Sequence, residues 1–172
     1  MTGMRILLTL LAALATVAAA GAAVASPRLA VPCKGSQLSG SFNAVPGSAG
    51  AGNIVYRLTL TNTSMATCTL TGLPSGQLLG KTGTKLPTHI RAAFPQGLTA
   101  ILVTLAHGKS SHATARFSPD VPGVGEQQAG PCEKTAYRLR VTPPGGGATV
   151  VKIAPPTPVC EHGQLSFSAY GR

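Results

Sequence analysis

The chain has 172 residues, enough for one domain and too few for two of ordinary size. It carries 14 lysines and arginines against four acidic residues, and this net charge of +10 serves either to attract anionic partners or simply to keep the protein in solution. The basic residues are dispersed and tryptophan is absent, which argues against the basic and aromatic stacking surfaces that bind nucleic acids.

Residues 1–25 have the pattern of a secretory signal peptide. Arg5 precedes an apolar stretch rich in leucine and alanine, and Ala23-Val24-Ala25 provides a small-residue cleavage site before Ser26. The apolar stretch is almost long enough to span a membrane, so a retained anchor is the alternative interpretation. We predict a secreted protein, extracellular or associated with the cell envelope. After cleavage it is expected to be a monomer with no transmembrane segment and a single domain over 26–172.

The glycine-rich segment from Gly47 to Asn53 is the first candidate binding element in the mature chain. A phosphate-binding glycine loop needs a strand before it and a helix after it, so that the helix N-terminus meets the anion. An alternating strand pattern follows this segment, and the Lys-Ser/Thr pair of a nucleotide-binding loop is absent. We therefore predict a flexible hairpin or an interstrand loop.

Alternation of apolar and polar residues dominates the mature chain. It predicts strands with these inward-facing side chains: Ile54, Tyr56, Leu58 and Leu60; Cys68 and Leu70; Ile101, Val103 and Leu105; Ala113, Ala115 and Phe117; Tyr137, Leu139 and Val141; Leu165, Phe167 and Ala169. Threonines beside Cys68 and arginines beside Leu139 should face outward. Glycine and proline break the chain between these runs. About seven to nine short strands predict an all-β, immunoglobulin-like antiparallel β-sandwich, with a closed barrel as the alternative.

The segment Leu58–Pro74, LTLTNTSMATCTLTGLP, is predicted to be two strands interrupted at Asn62-Thr63-Ser64. These three side chains form local hydrogen bonds readily, which suits a turn. The same tripeptide fits the N-glycosylation sequence, but a turn is the better interpretation.

The mature chain has no recognisable catalytic motif. It contains four histidines, His89, His107, His112 and His162, and four acids, Asp120, Glu126, Glu133 and Glu161. No G-x-S-x-G elbow is present, and nothing indicates that two carboxylates converge. We predict a protein that is not an enzyme, with no cofactor. A secreted hydrolase with an unrecognised site is the alternative hypothesis.

A metal site is also not predicted, because no C-x-x-C pair is present. His107 and His112 flank a possible hairpin turn and could hold copper or zinc, and Cys160-Glu161-His162 is a second, weak cluster. A metal-binding envelope protein is therefore kept as a further alternative. The connection from Ser118 to Pro131 is the least patterned stretch of the mature chain and is either a mobile binding loop or a plain solvent-exposed crossover.

Four cysteines in an exported chain predict two disulfides. Of the three possible pairings, we predict Cys33–Cys68 and Cys132–Cys160. Each disulfide closes a loop of about 30 residues and stabilises the fold by roughly 3–4 kcal/mol in the loop-entropy estimate. No free thiol would remain as a nucleophile.

Several motifs resemble an exported actinobacterial family known only as a domain of unknown function. They are the T-N-T-S…C-T-L-x-G-x-P pattern in Leu58–Pro74, VTLAHGKSSHATARF, PCEKTAYRLRVTPPG and the closing VCEHGQLSFS. Leu73 stands where that family usually has an aromatic residue, and His107 where it usually has proline. The resemblance implies a secreted β-sandwich with two disulfides and implies no reaction.

The acid-free stretch from Ser26 to Pro119 contains eight of the basic residues and suggests a role in binding. We expect the partner to be an anionic cell-envelope polymer or an envelope protein. Electrostatic binding of this kind should weaken as salt is added.

Overall fold

The computed structural model describes residues 31–97 and 101–171. The predicted signal peptide lies outside these residues. In the described ranges the chain forms eleven strands: β1 (Val31–Pro32), β2 (Leu38–Ala44), β3 (Ile54–Asn62), β4 (Cys68–Leu70), β5 (Ser75–Leu79), β6 (His89–Ala92), β7 (Val103–Leu105), β8 (Ser110–Phe117), β9 (Ala136–Thr142), β10 (Thr149–Thr157) and β11 (Gln164–Phe167). The helical segments are two 3₁₀ turns, Gly35–Gln37 and Pro95–Gly97, and the four-residue α1 (Cys160–Gly163).

The strands form two sheets. The larger has the order β5-β9-β10-β2-β3-β8-β11-β6, and the smaller has the order β1-β4-β7. Most neighbours are antiparallel, while the pairs β1/β4, β2/β10 and β6/β11 are parallel. This confirms the predicted all-β fold, and the larger sheet curves almost into the barrel that was its alternative. The strands beyond the predicted seven to nine are short ones such as β1.

The two sheets share one core, to which the alternating strands contribute their apolar faces. Tyr56, Leu58 and Leu60 of β3 are fully buried, as the alternation predicts. The ring centroids of Phe42 and Tyr56 lie 5.2 Å apart, within the range of favourable aromatic pairs. The Tyr56 hydroxyl donates a hydrogen bond to the Pro155 carbonyl (2.8 Å), so this buried polar group is satisfied.

Several inward or outward assignments were wrong or only partly right. Thr69 is buried although it was expected to face outward, because β4 is the central strand of the small sheet and all three of its residues are buried. Ile101 remains 44% exposed, since β7 begins only at Val103. The side chains of Tyr137 and Ala169 are only partly buried, and their neighbours Ala136 and Tyr170 fill the core.

Both disulfides are present with the predicted pairing. Cys33 bonds to Cys68 with a Cα–Cα distance of 4.8 Å, and Cys132 bonds to Cys160 with a Cα–Cα distance of 5.5 Å. The first joins the segment after β1 to β4, and the second joins the residues before β9 to α1. The long connection after β8 is thereby fixed to the domain at its far end.

Asn62 closes β3, and its buried side chain organises the turn that leads to β4. Its amide donates to the carbonyls of Ala66 (2.8 Å) and Leu105 (2.9 Å), and its side-chain oxygen accepts from the Ser64 amide (3.0 Å). The predicted turn is confirmed. Because Asn62 is fully buried, the folded protein leaves no space for a glycan on this residue.

A helix of the length and hydropathy that crosses a bilayer does not occur among the residues described here.

Candidate functional site

The four histidines lie on four separate elements. His89 is exposed in β6, and His107 lies in the turn between β7 and β8 with Nδ1 3.1 Å from the Ser64 carbonyl. His112 lies in β8 with Nδ1 3.0 Å from the Thr59 hydroxyl. Although His107 and His112 flank the same turn, each contacts a different partner on the β3 side. His162 lies in α1, beside a buried carboxylate described below.

The outer surface of the eight-stranded sheet is strongly basic. Alternation places a polar side chain at every second strand position, and no strand of this sheet contains an acidic residue. The exposed cations on these strands are Arg57, Arg91, Arg116, Arg138, Arg140 and Lys152. The electrostatic field over this surface therefore favours anions.

Two of these arginines face each other across one groove, called here the arginine groove. Ser166 of β11 is the register partner of Arg116 on β8 and of Arg91 on β6, so the three residues form one row across the sheet. The groove has a volume of about 440 Å³ and is also lined by Thr114, Gln164 and Phe94. Strand spacing places the two arginine Cα atoms roughly 10 Å apart, so both guanidinium groups can reach one anion between them.

The arginine groove keeps its positive charge. Arg91 Nε donates to Ser166 Oγ (2.9 Å), which orients that side chain, and its remaining N–H groups have no hydrogen-bond partner among the residues described, so they can bind a ligand. In the part of the chain that the structure describes, no carboxylate pairs with either arginine; the one close basic–acidic contact joins His162 and Glu126 and is ionic only when His162 is protonated. Glu161 is the one acid lining the groove, and it is exposed and accepts a hydrogen bond from the Gln164 amide.

Glu126 is a buried carboxylate that accepts a hydrogen bond from the backbone of Glu161, one of the residues lining this groove. The backbones of Glu161 and His162 adopt left-handed angles (φ 55° and 57°), which direct their amide N–H groups toward the connection after β8. The Glu126 carboxylate accepts from the amides of Glu161 (2.9 Å), His162 and Gly123 (2.6 Å). The connection from Ser118 to Pro131 is thus anchored at its centre.

The pKa of Glu126 is set by opposing effects. Burial raises the pKa of this carboxyl, while the three amide hydrogen bonds and the nearby His162 lower it, and the net effect is a lowered pKa. The ionised form is therefore stabilised by folding, since an unfolded glutamate has a pKa of about 4.3.

This lowered pKa predicts acid sensitivity of the fold. The contribution of Glu126 to stability should be complete above about pH 4.3 and be lost as the pH falls through the lower folded pKa. Glu126→Gln should be less stable than wild type at pH 7, and the gap should narrow below pH 4. Urea unfolding of both proteins from pH 3 to 7, with chelator present, checks this. A gap that stayed constant over that range would contradict it.

Sequence reasoning missed the arginine groove and the role of Glu126. Arg91 and Arg116 are distant in the sequence and become neighbours only because β11 inserts between β8 and β6. Alternation did place Arg116 on the outer face, which was the only local signal. Glu126 lies in the one segment that has no periodicity.

The comparisons with known proteins give one match. A family described as Domain of unknown function (DUF4232) matches residues 33–171, nearly all of the chain after the predicted signal peptide. No curated protein and no solved structure matches the chain.

Proposed function

Starting from the chain's membership of the DUF4232 family, we propose that it is a secreted or cell-envelope-associated, non-enzymatic protein that binds an anionic envelope polymer in the arginine groove. The observation that carries the proposal is the row Arg116–Ser166–Arg91 across the floor of the groove. Arginine pairs bind phosphate and carboxylate oxygens through parallel hydrogen bonds, which gives geometric specificity as well as charge attraction.

The remaining basic surface supports a polymeric rather than a small partner. Arg138 and Lys152 lie opposite each other on β9 and β10, and Arg140 is exposed two positions along β9. Like charges in direct register oppose folding, so an anionic chain that crosses them would relieve their repulsion. In this proposal the groove fixes one repeat of the polymer, while the dispersed cations attract the rest.

A binding role also fits the chemistry of the groove. Ser166 is in register with both arginines, and its Oγ accepts from Arg91 rather than bonding to a histidine. Among the residues that line the groove, none is a histidine, and the exposed Glu161 is the sole carboxylate. Nucleophilic catalysis needs a base within hydrogen-bond reach of the nucleophile, so the lining favours retention of a ligand over its cleavage.

We predict that removing the two groove arginines weakens polyanion binding far more than removing two others. Arg91→Gln/Arg116→Gln should lose at least tenfold in affinity for linear polyphosphate at 50 mM NaCl. The matched control Arg138→Gln/Arg140→Gln has the same net charge and should lose threefold or less. Titration calorimetry with untagged protein measures the affinities of both double variants. A parallel titration with polyglutamate distinguishes recognition of phosphate from recognition of carboxylate.

Salt dependence provides the second readout. Raising NaCl to 300 mM should weaken binding of the wild type strongly, because exposed charges are screened within about 10 Å at 0.1 M salt. Equal losses in the two double variants would show that charge alone, and not the arginine groove, attracts the polymer. Absence of any polyanion binding at 50 mM NaCl would overturn the proposed function itself.

A further inference from the structure

We propose that Glu126, Glu133 and His162 form a zinc site next to the Cys132–Cys160 disulfide. Each residue offers one ligand atom, and the three atoms lie within 4.8 Å of one another. It is the only group of three or more such residues found among 31–97 and 101–171. The two groove arginines are not part of this cluster, whose link to the groove is the hydrogen bond from the Glu161 amide to Glu126.

The orientation of the His162 ring matches that of a metal ligand. Its Nε2 lies 3.0 Å from the Val124 carbonyl oxygen, which can only accept, so Nε2 carries the proton. In the neutral ring Nδ1 then keeps its lone pair, and Nδ1 lies 3.7 Å from Glu126 Oε1. Metal-bound histidines commonly donate their second N–H to a backbone carbonyl in this way.

The charges of the cluster also favour a cation. The Glu126 side chain is only 2% exposed and Glu133 is half-buried, so two carboxylates share a poorly solvated space. Neither is paired with a lysine or arginine in the portion of the chain described. A divalent cation between the two carboxylates would supply the positive charge that no lysine or arginine provides there.

The disulfide and the left-handed turn bring the three ligands together. Glu133 follows Cys132 directly, and His162 lies two residues after Cys160, so the 5.5 Å Cα–Cα link holds both ligand segments side by side. Glu126 already bonds the amides of Glu161 and His162, which fixes it against the turn. The sequence alone predicted no metal site because these contacts join residues far apart in the chain.

One imidazole and two carboxylates suit Zn²⁺, with the fourth position left to water or an external ligand. Ligand atoms about 2.1 Å from a tetrahedral zinc lie roughly 3.4 Å from one another. The 3.7 Å separation between His162 Nδ1 and Glu126 Oε1 is close to that value. Glu133 lies on the less constrained segment after Cys132, so its carboxylate is the ligand that would move to bonding distance of the zinc.

The test is calorimetric titration of chelator-stripped, untagged protein with ZnCl₂. We expect one zinc per chain and a higher Tm when zinc is present, because a ligand that binds only the folded state stabilises it. Glu133→Gln and His162→Asn should each weaken binding at least tenfold. Asparagine suits position 162 because it tolerates left-handed backbone angles. Glu161→Gln, an adjacent exposed acid outside the cluster, is the matched control and should change affinity less than twofold.

Glu126→Gln is unsuitable as the deciding variant because Glu126 also holds the turn, whereas the Glu133 carboxylate forms no hydrogen bond within the described residues. Circular dichroism confirms that each variant folds. Cys132→Ser/Cys160→Ser should also lose zinc affinity at least tenfold. Failure of the wild type to bind zinc, or equal affinities of the wild type and Glu133→Gln, would overturn the site.

Discussion

Replacing Asn62 by alanine is expected to lower the free energy of unfolding by about 2–4 kcal/mol. The side chain is fully buried and satisfies the carbonyls of Ala66 and Leu105 as well as the Ser64 amide. Alanine would remove all of these hydrogen bonds at once. The Leu105 carbonyl would lose its side-chain partner in a buried setting, where an unsatisfied polar group costs roughly 1–3 kcal/mol.

Chemical denaturation of wild type and Asn62→Ala, with both disulfides intact, measures this loss. Thr63→Ala is the matched control, because Thr63 is exposed and makes one side-chain hydrogen bond, to the Gln37 carbonyl. We expect the control to lose less than about 1 kcal/mol. A loss of under 1 kcal/mol for Asn62→Ala would mean that the turn between β3 and β4 does not depend on this side chain.

The strands could be predicted from the sequence because their signal is local. Alternation in β3 and β8 reports directly which face is buried, and it correctly placed Tyr56 inside and Arg116 outside. It failed where burial comes from both sides, as at Thr69 in the central strand β4. The alternating pattern assumes that one face of the strand is solvated, and a strand that is buried on both faces has no solvated face.

The candidate sites depend on topology, which alternation does not report. The arginine groove exists because β11 lies between β8 and β6, a neighbour relation that no local pattern encodes. The Glu126 cluster depends on left-handed angles at Glu161 and His162, residues that seldom adopt them. Such angles persist only when surrounding contacts hold them, here the three amide bonds to Glu126.

Gly163 directly follows the proposed zinc ligand His162 and packs closely against Pro87. Replacing it by alanine is expected to lower the free energy of unfolding by about 4 kcal/mol or more. Gly163 has a φ of 78°, and an added Cβ would collide with the Pro87 carbonyl group and approach the Thr88 nitrogen to 2.9 Å. Thr88 cannot move aside easily, because its hydroxyl bonds the Leu78 amide (3.0 Å) and the Gln77 amide group (2.8 Å).

Gly83→Ala separates the two contributions to that loss. Gly83 has a φ of 88° but open space around the position of an added Cβ, so alanine there carries only the left-handed backbone cost of roughly 1–2 kcal/mol. Denaturation of both variants gives the steric cost at Gly163 as the difference. Because relief of the collision would displace the adjacent His162, Gly163→Ala should also weaken zinc binding at least tenfold, while Gly83→Ala should leave it unchanged. Similar stability losses in the two variants would show that the turn can move away from Pro87, and the rigid placement of His162 would then be wrong.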